Sequence, residues 1–249
     1  MHDLYPEQYI RELTPDESRS HLSSSSSFPI ALQTSQVDGD GTKALSGRGY
    51  KRMNSLTTLI MNRRSCRNYT DETLSHERLT DLINAAVWVP NGSNNQPWRF
   101  VVITDKVLLK KYSDAAKSDW LARLAEAPHM QQYEKAMRDP EYNIFYNAPA
   151  LVIIYGNTES YWHVYDCSMV SCNLHLLAEE SGLGACWIGF AHNVFAAKET
   201  KAAFGLPESY ELVSPVILGY PTASHPTTGT PRKPFSVLFY DDDKLKCGL

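Results

Sequence analysis

Arg63-Arg64-Ser65-Cys66-Arg67 gathers three guanidiniums and a hydroxyl within five residues. Arginine offers planar, paired N–H donors that match the oxygens of a phosphate or carboxylate. Along an extended segment alternate residues point the same way, so Arg63, Ser65 and Arg67 can converge on one anion. A solvated basic helix end, favoured by the helix dipole, has the same composition. Pro231-Arg232-Lys233-Pro234 carries a similar ambiguity: prolines fix the backbone around a single arginine, as a second phosphate contact requires.

Two glycine- or amide-rich stretches could bring backbone close to a flat ligand. Gly182-Leu183-Gly184-Ala185-Cys186-Trp187-Ile188-Gly189 joins a helix to an extended segment, and it reads either as a helix cap with a core strand or as backbone N–H set against a ring. Val89 to Phe100, VPNGSNNQPWRF, runs a loop of Pro90, Asn91, Gly92, Asn94 and Asn95 directly into a strand. Asn and Gly tolerate backbone conformations other residues avoid.

Other chemistries are disfavoured. The five cysteines (Cys66, Cys167, Cys172, Cys186, Cys247) are odd in number and form no CxxC pair, which fits free thiols in a reducing compartment. Cys167 and Cys172 with His163 or His175 have poor spacing for zinc. A formal net charge of −4 gives no electrostatic case for nucleic acid or an anionic membrane. No apolar run approaches the roughly 18 residues of a membrane span. MHDLYPEQ lacks the basic start and apolar centre of a signal peptide, so a cytoplasmic location is expected.

Composition changes near residue 53. Residues 1–52 are poor in apolar side chains and include the serine run 23–27, so they are expected to be a mostly disordered extension. A domain is expected over 53–249. Leu56, Leu59 and Ile60 share a helical face that should end near Arg63. Ser75 is the expected N-cap of a helix stopping by Pro90, and Asp105 that of a helix through Tyr112. Strands are expected at Trp98–Thr104, Leu151–Tyr155 and Glu211–Gly219, with Cys186–Phe190 short and extended. Further helices are expected around Trp120–Glu126, over Tyr161–Glu180 with Gly182 and Gly184 as caps, and over Ala196–Phe204. No internal repeat and no GxGxxG after a strand is present, so a Rossmann domain is not indicated.

Taken in order, the chemical pieces resemble the FMN-dependent nitroreductase family. Its opening motif R-R-S-x-R-x-F/Y is met by Arg63, Arg64, Ser65, Arg67 and Tyr69. Its second, A-P-S-x-x-N-x-Q-P-W, is met by Pro90, Asn94, Gln96, Pro97 and Trp98. G-L-G-x-x-W-I-G is met from Gly182 to Gly189, and a late G-Y-P then P-R by Gly219-Tyr220-Pro221 and Pro231-Arg232. Asn91 stands where the family usually has Ser, Val89 where it has Ala, and Cys66 in a slot usually apolar.

The resemblance implies an α+β fold: a mixed, largely antiparallel sheet flanked by helices, in an intertwined homodimer with FMN at the subunit interface. It implies that Arg63, Arg64, Ser65 and Arg232 contact the phosphate and ribityl chain and that Arg67 lies near the flavin pyrimidine edge. Pro90, Asn91 and Asn94 would come from the opposite subunit, and Trp187-Ile188-Gly189 would face the flavin. Trp120, Tyr133 and Phe145, in the segment that covers the flavin in the family, are candidate substrate residues. Asp166 and Asn173 would make interface hydrogen bonds, and His163 and His175 would be structural. The implied activity is two-electron transfer from NADH or NADPH to a nitroaromatic or quinone-like acceptor by a ping-pong mechanism, with no catalytic side chain and no metal. A flavin oxidase or dehydrogenase acting on a peptide-like or heterocyclic substrate shares every FMN residue. A non-catalytic flavin-binding protein does too.

Overall fold

The computed structural model describes residues 55–126, 128–241 and 244–248. The expected disordered extension, 1–52, lies outside the described residues. Four strands form the main sheet in the order β1-β2-β4-β3: β1 (Trp98–Ile103), β2 (Ala150–Asn157), β4 (Tyr210–Gly219) and β3 (Gly184–Trp187). Every strand pair is antiparallel. The parallel element is an isolated bridge between Ser65 and Ala185. A hairpin of β5 (Val237–Asp241) and β6 (Lys244–Gly248) makes a second, two-stranded sheet.

The central strand β2 is apolar without alternation because both its faces are covered. Leu151, Ile153 and Tyr155 enter one core with Leu109, Ala116, Phe145, Phe195 and Ile217. Val152 and Ile154 enter the other with Leu79, Leu82, Val170, Leu174 and Val216. Thus α3 (Lys106–Ala122) covers one face, while α2 (His76–Ala86) and α5 (His163–Glu180) cover the other.

Local signals set most boundaries. The first helix, α1, spans Ser55–Asn62. Ser75 accepts from the Arg78 N–H and begins α2; Asp105 accepts from the N–H groups of Val107 and Leu108 and begins α3. Three expectations need correction. Trp120 lies in the last turn of α3, whose 17 residues hold no Gly or Pro to break them, so no separate helix starts there. The expected helix over 196–204 is two, α6 (His192–Ala196) and α7 (Lys198–Ala203), with Ala197 extended between them at φ −61°, ψ 138°. Gly182 does take the left-handed conformation after α5 (φ 72°), but Gly184 is the first residue of β3. The short α4 (Glu134–Arg138) follows a run of 3-10 turns. No described helix is long and apolar enough to cross a membrane.

Candidate functional site

Arg63 ends the α1 hydrogen-bond ladder, its N–H donating to the Leu59 carbonyl at 3.0 Å. The chain then runs extended beside β3, with the Cys66 N–H on the Ala185 carbonyl at 2.9 Å. Cys66 points inward and is fully buried, and burial pushes its thiol pKa up. It is a small buried hydrophobe beside β3. Gly184 makes this approach possible, since a Cβ there would overlap the Cys66 Cβ and Sγ. With Cys66 inside, its neighbours must face out.

They face one pocket. Arg63, Arg64, Ser65 and Arg67, with Thr230 and Arg232, line a polar cavity of about 160 Å³. The Arg64 guanidinium donates to the Thr228 carbonyl at 3.2 Å and ties this segment to the late loop carrying Arg232. Among the described residues no carboxylate pairs with any of these four arginines. Four cations therefore share one small volume with no anion in it among the described residues.

Arg67 faces a second, aromatic cavity of about 330 Å³. Trp187, Ile188 and Gly189 form one wall, held by the Ile188 N–H on the Pro215 carbonyl at 2.9 Å. A Cβ at Gly189 would meet no atom within 4 Å, so backbone and open space adjoin directly there. Tyr133, Tyr142, Tyr146 and Phe190 form the other walls. Tyr133 packs edge-on against Phe190 at 5.1 Å between centroids. Of the candidate substrate residues, Tyr133 lines the cavity and two do not. Trp120 is half-buried behind it, its indole N–H donating to the Phe190 carbonyl at 2.8 Å. Phe145 is fully buried and packs on Phe195, because it points into the α3 side of the sheet. Tyr142, Tyr146 and Phe190 are aromatic residues of the cavity that the sequence reading does not single out, and the first two are four apart. That spacing was visible, but Tyr146 sits at φ 52°, which no pattern of residue types reveals.

Pro90, Asn91 and Asn94 do not join these cavities. Pro90 and Asn91 line a separate apolar hollow of about 380 Å³ with Gly92, Trp162, Tyr165 and Met169. The loop is tightly bonded to itself. Ser93, Asn94 and Gln96 all have positive φ (52°, 54°, 47°), and Asn91 Oδ1 accepts from the Gln96 N–H at 3.0 Å. Buried Asp166 accepts the Gly92 N–H with both oxygens at 3.2 Å. Within this chain Asp166 fastens the loop to α5, and Asn173 Nδ2 donates to the Ala86 carbonyl at 3.4 Å. His175 donates from Nδ1 to the Ser171 carbonyl at 2.7 Å, and His163 Nδ1 lies 2.8 Å from the Ser160 carbonyl. Among the described residues no group of His, Cys, Asp or Glu is gathered that could hold a metal ion.

Residues 60–220 match the model of the nitroreductase family. The chain belongs to the nitroreductase family. It is 29% identical over 169 residues to an Archaeoglobus fulgidus protein provisionally named an NADH dehydrogenase/NAD(P)H nitroreductase, covering 68% of this chain and 87% of that one. A nitroreductase of Desulfitobacterium hafniense solved with bound FMN superposes with a TM-score of 0.61 at 28% identity, over 72% of this chain and 95% of its own. Iodotyrosine deiodinase of Hydra vulgaris is 25% identical over 211 residues, covering 78% of this chain and 75% of the deiodinase. The nitroreductase-family match takes in Arg63 to Arg67, the loop after Pro90 and Trp187 to Gly189. It stops short of Arg232, which joins the same pocket through the fold.

Proposed function

We propose that this chain binds FMN and moves two electrons from NADH or NADPH to a flat, conjugated acceptor such as a nitroaromatic or quinone. The observation that carries the reading is the pocket of four arginines and Ser65 with no carboxylate among the described residues, opening through Arg67 towards the aromatic cavity. Like charges in so small a volume repel. A phosphate, with three oxygens for paired guanidinium donors, relieves that repulsion. Arg63, Arg64, Ser65 and Arg232 would hold the phosphate and ribityl chain. The ring system would lie against Trp187, Ile188 and Gly189, where no Cβ intrudes, with Arg67 at its pyrimidine edge.

FMN, when bound, supplies the electron relay between donor and acceptor. The protein's part is to hold the ring, to place the Arg67 charge beside it and to keep one face open. Donor and acceptor must both approach that face to about 3–3.5 Å. Two flat molecules cannot do so together, so they alternate in a ping-pong sequence. Pro90, Asn91 and Asn94 would reach the ring from the second subunit of a homodimer. Their separation from the arginine pocket within one chain supports this, as do the exposed apolar side chains of α1 (Leu56, Ile60, Met61) and of α5 with its N-cap (Trp162, Val164, Tyr165).

The test is the visible spectrum of the purified protein. A flavin absorption that bleaches anaerobically with NADH or NADPH and returns with a nitroaromatic or quinone is the expected result. Parallel double-reciprocal lines at several fixed acceptor concentrations are expected with it. Intersecting lines would overturn the shared site, and a protein that stays colourless with added FMN would overturn the whole reading. The likeness to iodotyrosine deiodinase favours a second reading, reductive removal of iodide from an iodinated phenol, for which iodide release under the same conditions is the measurement.

A further inference from the structure

Tyr142 and Tyr146 each face two cavities, and Arg67 faces both of these as well as the arginine pocket. On one side is the aromatic pocket. On the other is an open polar chamber of about 580 Å³, with Asn68, Asn143, Asn147 and Thr222 among its walls. The partition between them is firmly built. Buried Lys117 donates to the carbonyls of Asp139 at 3.1 Å and Tyr142 at 2.8 Å. The Ile144 N–H donates to Ser113 Oγ at 3.0 Å, and the Tyr142 hydroxyl reaches that of Tyr146 at 3.4 Å. The Arg67 guanidinium stands over the Tyr146 ring, 5.9 Å from its centre.

Tyr146 and its neighbour Asn147 are both left-handed, at φ 52° and 57°. Two such residues in succession, one a bulky aromatic, persist only where the surroundings over-determine them. The conformation sets the Tyr146 ring under Arg67 and the Asn147 side chain in the polar chamber. The Asn143 amide is occupied locally: Oδ1 accepts the Phe145 N–H at 2.8 Å and Nδ2 donates to Asn147 Oδ1 at 3.2 Å. That leaves the Asn147 NH2 group, and the whole Asn68 amide, with no protein partner among the described residues. Asp71 and Glu141 also line the chamber, and the one cation among its described walls, Arg67, is shared with both other cavities. An anion is disfavoured there.

We infer that the acceptor is elongate: a flat head on the open face of the ring, towards Tyr133 and Phe190, and an uncharged polar arm, amide or hydroxyl, crossing Tyr142 and Tyr146 into this chamber. The inference rests on the FMN reading above, which sets the reacting ring beside that head.

Three acceptors sharing a 4-nitrobenzamide head test it on the FMN-loaded full chain: the N-ethyl, N-(2-hydroxyethyl) and N-carboxymethyl derivatives. The hydroxyethyl arm should raise kcat/KM over the ethyl arm about fivefold, the worth of one net hydrogen bond. The carboxymethyl arm should fall below both. Asn147→Gly removes the amide while keeping the left-handed backbone accessible; Asn68→Ala removes the second amide without touching that turn. Each should bring the hydroxyethyl-to-ethyl ratio towards one. Binding of the non-reducible N-(2-hydroxyethyl)benzamide and N-ethylbenzamide, followed by calorimetry, should show the same ratio of Kd and the same loss. Normal turnover of the ethyl compound with no preference in the wild type, or a preference that survives both variants, would overturn the elongate acceptor alone. A protein that takes up no flavin would overturn it together with the FMN reading.

Discussion

Arg232 and Arg63 come to one pocket from opposite ends of the described chain, so each can be removed without disturbing the other's backbone. A hydrogen bond to a charged group contributes about 1.5–3 kcal/mol, so Arg232→Ala or Arg63→Ala should weaken FMN binding roughly tenfold to hundredfold. Flavin fluorescence titration measures it. Riboflavin, which has no phosphate, should bind the wild type poorly and lose little more in either variant; an equal loss for both ligands would remove these arginines from the phosphate. Arg67 should behave differently. A cation near the reduced ring favours its negative charge, by up to about 4 kcal/mol at 4 Å and an effective dielectric near 20. Solvent will leave only part of that. Arg67→Ala should therefore lower the flavin midpoint potential more clearly than it lowers affinity, and an unchanged potential in a flavin-replete variant would place Arg67 elsewhere.

At the scale of elements, the arginine segment depends on β3. Gly184→Ala would press a methyl onto Cys66 and push the Ser65–Ala185 pairing apart. Overpacking of this kind costs about 1–3 kcal/mol, so the variant should unfold at a lower denaturant concentration and bind FMN less tightly. Normal FMN affinity in a destabilised Gly184→Ala would show that the phosphate pocket does not need this pairing. Elements of this kind were legible where a local rule governs. Ser75 and Asp105 announce helix starts, the unbroken apolar run 151–155 announces a strand covered on both faces, and Arg63, Ser65 and Arg67 announce an extended segment with one charged side. Legibility failed where tertiary packing decides. Phe145 and Tyr146 are adjacent aromatics, yet one is fully buried and the other lines two cavities, because a left-handed turn separates their directions. Gly184 looked like a cap because its role, leaving room for Cys66, involves a residue more than a hundred positions away.

For the whole molecule the first expectation is assembly. Sedimentation should give twice the chain mass. If each site takes Pro90, Asn91 and Asn94 from the second subunit, co-refolding Arg232→Ala chains with chains altered in that loop should give mixed dimers holding one intact site. FMN uptake above that of either parent is the expected result, and uptake no better than the parents would confine each site to one chain. Stability should also depend on pH through His175. Burial holds its pKa below the ordinary histidine value, and the Arg63 charge adds to the effect. The unfolded chain then takes up the proton first as pH falls. Stability attributable to this group is present above about pH 6.5 and declines as pH drops below it, towards the lower folded-state pKa. Thermal unfolding from pH 7.5 to 5.5 should show that decline, and His175→Gln should flatten it. An identical slope in the variant would assign the decline to other groups.

The bond from the Gly92 N–H to Asp166 also bears on how the protein ages. Asparagine followed by glycine is prone to deamidation, because the glycine nitrogen can attack the preceding side-chain amide with no side chain in its way. In Asn91-Gly92 that nitrogen is engaged by a buried carboxylate, and the Asn91 amide oxygen is held by the Gln96 N–H. The folded loop should resist this chemistry, and Asp166→Ala should expose it. Peptide mapping after prolonged warm storage would then find aspartate or isoaspartate at position 91 in the variant well before it appears in the native protein, with a new negative charge in the loop.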